Sequence, residues 1–520
     1  MPRYAAVDIG SNSIRMLAAE VDASGRSRVL AEEREVTRLG AGVFQYGRVS
    51  EDAAEFACQV LARMAQAYRK LDVLAVRAVA TSAVRDAGNQ HEFLDRASVA
   101  LGSRVEIISG QEEARLIHLG VHSRWPHPQK RVLIVDVGGG SMELILSERS
   151  DLAAAWSKPL GAVRLTEVFL KHDPPAPEEL RRIYEYIDEK LAPAVRRIGP
   201  RQFDRLVATS ASAAAIVSAV NRIPRARRDT ADRLRATTAQ VRRFFNEISR
   251  EGLAGRRKMQ GVGPRRAEII VAGAAVFLRT MELFQAQAFY YSAAGVRDGI
   301  IADLFARGAG RELATLSREQ RRTVEDMARR YGVSIPHVRK VAALATELFH
   351  QLEPLHRLAP TYGRLLEAAG LLHDIGHFVS DSSHHKHSQY LVENSDMPGF
   401  TDGERHLIAM LCRYHRKSMP APRHPAYEAL SADDKRGVLL MTPLLRLADS
   451  LDRSHEQRVE AIEAVPRDGA VLIALRSSAD VDLEVWAAER VADQFRQAYN
   501  LPVSFLRAPV SRIVEKRAAR

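Results

Sequence analysis

The stretch Val135-Asp136-Val137-Gly138-Gly139-Gly140-Ser141-Met142-Glu143-Leu144 decides how this chain is read. Arg131 and the apolar run Val132 to Val135 predict a buried strand that ends at Asp136. Gly138, Gly139 and Gly140 then predict a turn whose backbone N–H groups point together at a phosphate, since only glycine lets an anion come so close. Ser141 opens a second strand, and Glu143, two residues on, projects from the same face. A strand, a glycine hairpin and two flanking carboxylates make a cradle for a phosphate and its metal ion.

The pattern occurs twice. Val7-Asp8-Ile9-Gly10-Ser11-Asn12-Ser13-Ile14-Arg15-Met16 repeats it 128 positions earlier, with Asp8 matching Asp136, Gly10 matching Gly138 and Ser13 matching Ser141. Arg15 falls where Glu143 stands. One D-x-G-x-x-S match is weak, because any strand entering a glycine turn produces it. Two copies at domain-sized separation predict homologous lobes facing one cleft.

At 520 residues the chain exceeds one core and predicts three or four domains. Its 46% hydrophobic and 27% charged composition is that of an ordinary globular protein. Cys58 and Cys412 stand far apart in apolar helical contexts, which suits a reducing compartment and neither a disulfide nor a zinc site. The N-terminus enters a strand directly, without a signal-peptide core. The longest apolar run, Ile269 to Leu278, is about half a membrane span. A cytoplasmic location without a membrane span is expected, peripheral contact with an acidic surface being the most that the charge allows. The net charge is +12, and Arg222 to Arg266 holds fourteen lysines and arginines against four acids. Runs such as Arg225-Ala226-Arg227-Arg228 and Arg256-Arg257-Lys258 predict a surface that attracts polyanions. Aromatics are not interleaved with them, which argues against a specific nucleic-acid partner.

In the first lobe, residues 4–9 and 14–21 predict a hairpin, with a third strand near 28–36. A helix is expected from Ser50 to Leu71 with Phe56, Val60, Leu61 and Met64 on its apolar face, and a strand from Leu74 to Thr81. Arg85, just past that strand, is placed either to grip a phosphate oxygen or to pair with Asp86 or Glu92. In Ile107-Ile108-Ser109-Gly110-Gln111-Glu112-Glu113, Ser109 predicts an N-cap and Glu112 the reciprocal half of a capping box. Glu113 has no such task. A carboxylate in a first helical turn is expected to stay ionised, which suits a base.

In the second lobe, helices are expected at 163–172 and 178–198, then a strand Arg205 to Thr209 running into Ser210-Ala211-Ser212, a turn where a helix N-terminus can hold an anion. An apolar helix over 266–286 precedes a strand Ala288 to Tyr291 and the turn Ser292-Ala293-Ala294-Gly295-Val296-Arg297-Asp298-Gly299, which opens another helix. The set V-D-I-G-S-N-S, A-T-S-A-V-R, I-I-S-G-Q-E-E-A-R-L-I, V-D-V-G-G-G-S-M-E-L and S-A-A-G-V-R-D-G resembles the exopolyphosphatase / guanosine pentaphosphate phosphohydrolase family over about residues 1–308. The resemblance implies an α/β fold of two actin-like ATPase (ribonuclease H-like) lobes. It also implies Glu113 as catalytic base and Asp136 and Glu143 as ligands of Mg²⁺ or another divalent cation. Phosphate would be bound by Gly10, Ser11, Asn12 and Ser13 in one hairpin and Gly138, Gly139, Gly140 and Ser141 in the other. Arg85, Ser210, Gly295 and Arg297 complete the expected phosphate ligands.

From about residue 315 the pattern is helical, with helices expected at Glu319 to Tyr331, Ile335 to Leu352 and Arg364 to His373. His373-Asp374 at a helix end, with His350 before it and Asp449 after it, resembles an HD-type metal phosphohydrolase and marks a possible second metal site. His384, His385, His387 and His415 lie between them. Long members of the resembled family carry such a domain, commonly with the metal set eroded, so a helical scaffold that also dimerises the protein is the preferred reading and a bound metal the alternative. Strand-like segments Ala470 to Leu475 and Pro502 to Leu506, around a helix Val485 to Tyr499, predict a small α+β end, followed by the basic tail Glu515 to Arg520. The expected domains are thus 1–128 and 129–308 (the lobes), 309–458 (all-α, HD-like) and 459–520 (α+β).

The function these expectations favour is exopolyphosphatase, the removal of terminal phosphate from inorganic polyphosphate. Removal of the 5′ terminal phosphate of guanosine pentaphosphate is the alternative. A vestigial polyanion-binding regulator is a third reading, which Glu113, Asp136 and Glu143 argue against.

Overall fold

The structure is a computed structural model that describes residues 1–224, 227, 230–308, 315–467 and 469–508. Most of the run Arg225 to Arg228 and all of the tail Glu515 to Arg520 lie outside the described residues. The chain forms two compact units, Met1–Gly308 and Ala309–Arg520.

The first unit contains two sheets built to one plan. In the first, β1 (Arg3–Ile9), β2 (Ile14–Val21), β3 (Ser27–Glu35), β4 (Ala75–Ala80) and β5 (Val105–Ile107) lie in the order β3-β2-β1-β4-β5. The second holds β6 (Arg131–Val137), β7 (Met142–Glu148), β8 (Asp151–Lys158), β9 (Arg205–Thr209), β10 (Arg235–Thr237) and β11 (Ala288–Tyr291), in the order β10-β11-β9-β6-β7-β8. In each sheet an antiparallel meander (β1-β2-β3, β6-β7-β8) is extended by parallel strands (β4 and β5, β9 and β11). The sequence repeat is therefore a structural repeat, and the α/β, actin-like arrangement of two lobes is the one expected. Val132 to Val135 are fully buried because β6 is a central strand covered on both faces.

Some boundaries and faces differ from expectation. The helix Glu51–Arg69 buries Ala57, Val60, Leu61 and Met64 but leaves Phe56 42% exposed. Strand β8 and the helix Thr238–Arg250 carry no signal that the sequence reading used. The helices Gly110–Arg124 and Val296–Gly308 touch backbone to backbone. A Cβ on Gly120 would lie 2.2 Å from the Gly295 oxygen, and one on Gly299 would lie 1.8 Å from the Leu116 oxygen. Only glycine permits that crossing, which fixes the helix carrying Glu113.

In the second unit, the helices Arg318–Arg330, Ile335–Gln351, Thr361–Leu372, His384–Glu393, Asp402–Tyr414 and Ala432–Ser450 precede a sheet of β12 (Ala461–Arg467), β13 (Ala470–Arg476) and β14 (Val503–Ala508). One continuous core runs from Val324 through Leu451 to Ile473 and Phe495, so helices and sheet share an interior. The single helix expected at Val485 to Tyr499 is two, Asp482–Glu489 and Ala492–Tyr499.

Candidate active site

The two hairpins are superposable in their bonding. Gly10 N donates to Ser13 O at 3.1 Å and Gly138 N to Ser141 O at 3.0 Å. Register places Asp136 directly across from Glu143, and Asp8 across from Arg15. The turns pack tip to tip: a Cβ on Gly139 would lie 2.8 Å from Ser11 Cβ, and one on Gly140 would lie 2.2 Å from Ser82 Oγ. A cleft of about 480 Å³ opens between them, lined by Gly10 to Ser13, Gly138 to Ser141, Asp8, Asp136 and Glu113. Ser210, Gly295 and Arg297 line the same cleft.

Glu113 is aimed there by a buried ion network. Arg77 donates to Glu106 Oε1 (2.6 Å), Glu112 Oε1 (3.0 Å) and Asp303 Oδ2 (2.9 Å). Arg115 donates to Glu112 Oε2 (2.7 Å) and Asp303 Oδ1 (2.8 Å). Ser109 does cap its helix, its Oγ accepting from Glu112 N at 3.2 Å. The Glu112 side chain, however, serves Arg77 and Arg115 instead of closing the expected capping box. Burial pushes the Glu112 carboxyl up, and the two guanidiniums more than offset that and hold it below its ordinary range.

Glu113 itself is 8% exposed. Burial opposes the ionisation expected of a helix N-terminal carboxylate. Burial lifts its pKa to about 8, with Arg85 pulling it down and Asp8 and Asp136 pushing it up. Burial likewise raises Asp136 to about 7, raises Asp8, and raises Glu143 well above its ordinary value with help from Glu113 and Asp136. Glu143 Oε1 accepts from Ser157 Oγ at 2.8 Å, while the buried Oε2 atoms of Glu143 and Glu113 have no hydrogen-bond partner. Glu113 and Glu143, each buried with an orphaned oxygen, and the half-buried Asp8 and Asp136 give an all-oxygen donor set of the kind that fits Mg²⁺. Asp136 and Glu143, paired across the hairpin, are the residues that would hold it. Asp8, the counterpart of Asp136 in the first copy of the motif, lines the cleft with it.

Three expected phosphate ligands are otherwise engaged. Arg85 is not a cleft-lining residue; it donates to Ile108 O at 2.6 Å and stands 3.6 Å from Glu113 Oε2. Neither of its expected acidic partners is taken, because Asp86 pairs with Arg164. Gly295 N donates to Asp298 Oδ2 at 3.0 Å, closing its own turn. Arg297 lines the cleft with its guanidinium donating to Met16 O (3.2 Å) and Glu32 (2.8 Å). Ser210 sits at φ 93°, a left-handed conformation costly for a residue with a side chain, at the start of the helix Ser210–Val220. The basic segment is also partly engaged internally: Arg242 pairs with Glu282, Arg257 with Glu268, Arg265 with Glu35, and Arg256 is buried against Asp173.

Comparison with known proteins fits this geometry. The sequence pattern of the Ppx/GppA phosphatase family matches residues 17–307, and that of Ppx/GppA phosphatase domain III matches residues 320–483. The chain belongs to the Ppx/GppA phosphatase family. A guanosine-5′-triphosphate,3′-diphosphate pyrophosphatase of Photobacterium profundum is 28% identical over 459 residues, covering 88% of each chain. A crystal structure of the Aquifex aeolicus family member aligns at TM-score 0.52 and 30% identity, covering 59% of this chain and 98% of its own. An exopolyphosphatase-like protein aligns at TM-score 0.55 and 28% identity, covering 58% and 97%. Among the described residues no helix is long and apolar enough to cross a membrane.

In the second unit of this Ppx/GppA protein, His373, Asp374 and Asp449 do meet, but His350 does not join them. It is exposed on the helix Ile335–Gln351, where it lines a surface hollow with Thr346 and Glu347. His337, in the first turn of the same helix, takes the expected place. Thirteen residues separate the two, which on a helix is roughly 20 Å of axial distance and a turn to the opposite side.

Proposed function

We propose that this Ppx/GppA protein hydrolyses the terminal phosphoanhydride of inorganic polyphosphate. The observation that carries the reading is the convergence of Glu113, Asp8 and Asp136 with the two glycine hairpins on one cleft. A divalent cation held by Asp136 and Glu143 would neutralise charge on the terminal phosphates. The hairpin turns orient the terminal phosphoryl group, and Glu113 accepts a proton from water as its oxygen bonds to phosphorus. The bridging P–O bond breaks, the shortened chain leaves with the bridging oxygen, and the proton passes on to solvent. Once ionised, Glu113 with its lifted pKa is a stronger base than an exposed carboxylate.

Polyphosphate is favoured by the lining. Arg15, Arg34 and Arg266 line the cleft with Arg124, which pairs with Asp298, and Arg297, which pairs with Glu32, while Tyr291 is the aromatic side chain among its described lining residues. An adjoining hollow of about 140 Å³, lined by Arg34, Arg265 and Arg266, continues the basic surface. A second reading, removal of the 5′ terminal phosphate of guanosine pentaphosphate, is supported by the name of the relative that matches over 88% of the chain. Orthophosphate release from both substrates in parallel, at matched terminal concentrations with Mg²⁺, separates them. Faster turnover of polyphosphate is expected; much faster turnover of the pentaphosphate would replace the first reading with the second.

A further inference from the structure

The second unit holds a cluster that the hydrolase cleft leaves unused. We propose that it is a two-cation centre for first-row transition metals, bridged by Asp374, with His337, His373 and Asp449 on one side and His377, His384 and His415 on the other.

Asp374 divides its oxygens. Its Oδ2 stands 3.5 Å from His373 Nε2 and 4.0 Å from His337 Nε2. Its Oδ1 stands 3.4 Å from His384 Nε2 and 3.7 Å from the Nε2 atoms of both His377 and His415. Asp449 Oδ1 completes the first group, 3.5 Å from His337 Nε2 and 3.6 Å from His373 Nε2. These separations are too long for good hydrogen bonds. Two donors each about 2.1 Å from one ion, at tetrahedral or octahedral angles, stand about 3.0–3.4 Å apart, so the groups need close by only a few tenths of an ångström.

Tautomers point the same way. His373 Nδ1 lies 2.9 Å from Gly370 O, and His415 Nδ1 lies 2.7 Å from Cys412 O. A carbonyl oxygen only accepts, so in both rings Nδ1 carries the proton. In the neutral ring Nε2 is then a bare lone pair. His337 Nδ1 is held by Asp452 Oδ2 at 2.8 Å and His377 Nδ1 by Asp381 Oδ1 at 2.7 Å, the acceptor-backed geometry that orients metal-binding imidazoles. With the rings neutral, those Nε2 lone pairs face carboxylate oxygens, which are acceptors too. His337 Nε2 and His373 Nε2 are buried with no hydrogen-bond partner, in residues only 1% and 0% exposed. His384 Nε2 and His415 Nε2 face each other at 3.1 Å. A proton on a ring or a metal cation relieves acceptors crowded around acceptors, and metal content tells the two apart. Arg416 Nη1 lies 3.2 Å from His384 Nδ1 and 3.4 Å from His384 Nε2, so at this one ring a guanidinium also faces the ligating nitrogen.

The ligand set selects the metal. Imidazole-rich sites with carboxylates suit Mn²⁺, Fe²⁺, Co²⁺, Ni²⁺ or Zn²⁺, whereas Mg²⁺ keeps to oxygen. The chain would then carry two metal sites of different chemistry, oxygen-only in the cleft and nitrogen-rich here.

The test is metal analysis of the full chain, loaded with Mn²⁺ and dialysed against Mg²⁺ buffer. The expected result is about two Mn²⁺ per chain, with an exchange-coupled EPR signal from ions about 3.5–4 Å apart. His337→Ala should lose one equivalent and Asp374→Asn most of both, while His350→Ala loses none. A helical circular-dichroism signal and a calorimetric transition of the second unit equal to the wild type's show that His337→Ala is folded. Wild-type protein without retained Mn²⁺, equal content in wild type and Asp374→Asn, or a single uncoupled six-line signal would overturn the proposal. A variant that fails to fold is replaced by His373→Gln, read by the same two measurements.

Discussion

Glu113 takes its role from what surrounds it: buried, backed by Arg85 at 3.6 Å, and leaving Oε2 without a hydrogen-bond partner. Glu113→Gln keeps the shape and removes the base. Phosphate release is expected to fall by about 10²–10⁴-fold in kcat with substrate binding nearly unchanged; retained turnover would remove the assignment. Much of this site was legible because glycine hairpins and flanking acids follow each other directly in sequence. The use of Arg85 was not legible, since Ile108 is 23 positions away and meets it only in the fold. His350 shows the same limit from another side. Order along the chain suggested it, but helical phase chose His337, and phase relative to a distant helix is a tertiary fact.

At the scale of elements, the helix Gly110–Arg124 is held by two devices that the sequence displays only in part. The glycines of the motif ending Arg297-Asp298-Gly299 were visible, but their purpose, the crossing with Leu116 and Gly120, was not. The network of Arg77, Arg115, Glu112 and Asp303 joins residues up to 226 positions apart and gave no local sign. Removing one partner strands buried charge, so Arg77→Met is expected to cost about 3–5 kcal/mol in urea denaturation of the first unit. The network also predicts an acid dependence. Burial pushes Asp303 up, but Arg115, Arg307 and Arg77 outweigh it and hold the carboxyl far below its unfolded value. Its contribution is therefore complete above a pH of about 4 and is lost as pH falls towards the folded value. Between neutral pH and pH 3 the wild type should lose stability more steeply than Arg77→Met, whose Asp303 is less depressed. Equal slopes would show that the network does not bear on folding.

The whole molecule combines two compact units, Met1–Gly308 and Ala309–Arg520, whose polar clusters differ in donor atoms. Asp8, Asp136 and, across the hairpin from it, Glu143 offer oxygen alone, and the His337 to Asp449 cluster offers chiefly imidazole nitrogen. A ligand that binds only the folded state stabilises the unit that holds it, by about 2.7 kcal/mol at a hundred times its Kd. For units of this size that is roughly 5–10 °C in transition temperature. Calorimetry of the metal-free full chain should therefore show two transitions, with Mg²⁺ raising one and Mn²⁺, added over excess Mg²⁺, raising the other. Asp136→Asn should abolish the first shift and leave the second; His337→Ala should weaken the second and leave the first. If either cation moved both transitions together, or if Mn²⁺ over Mg²⁺ moved neither, the chemical division between the clusters would be wrong, because a shared or absent site cannot respond selectively to donor type.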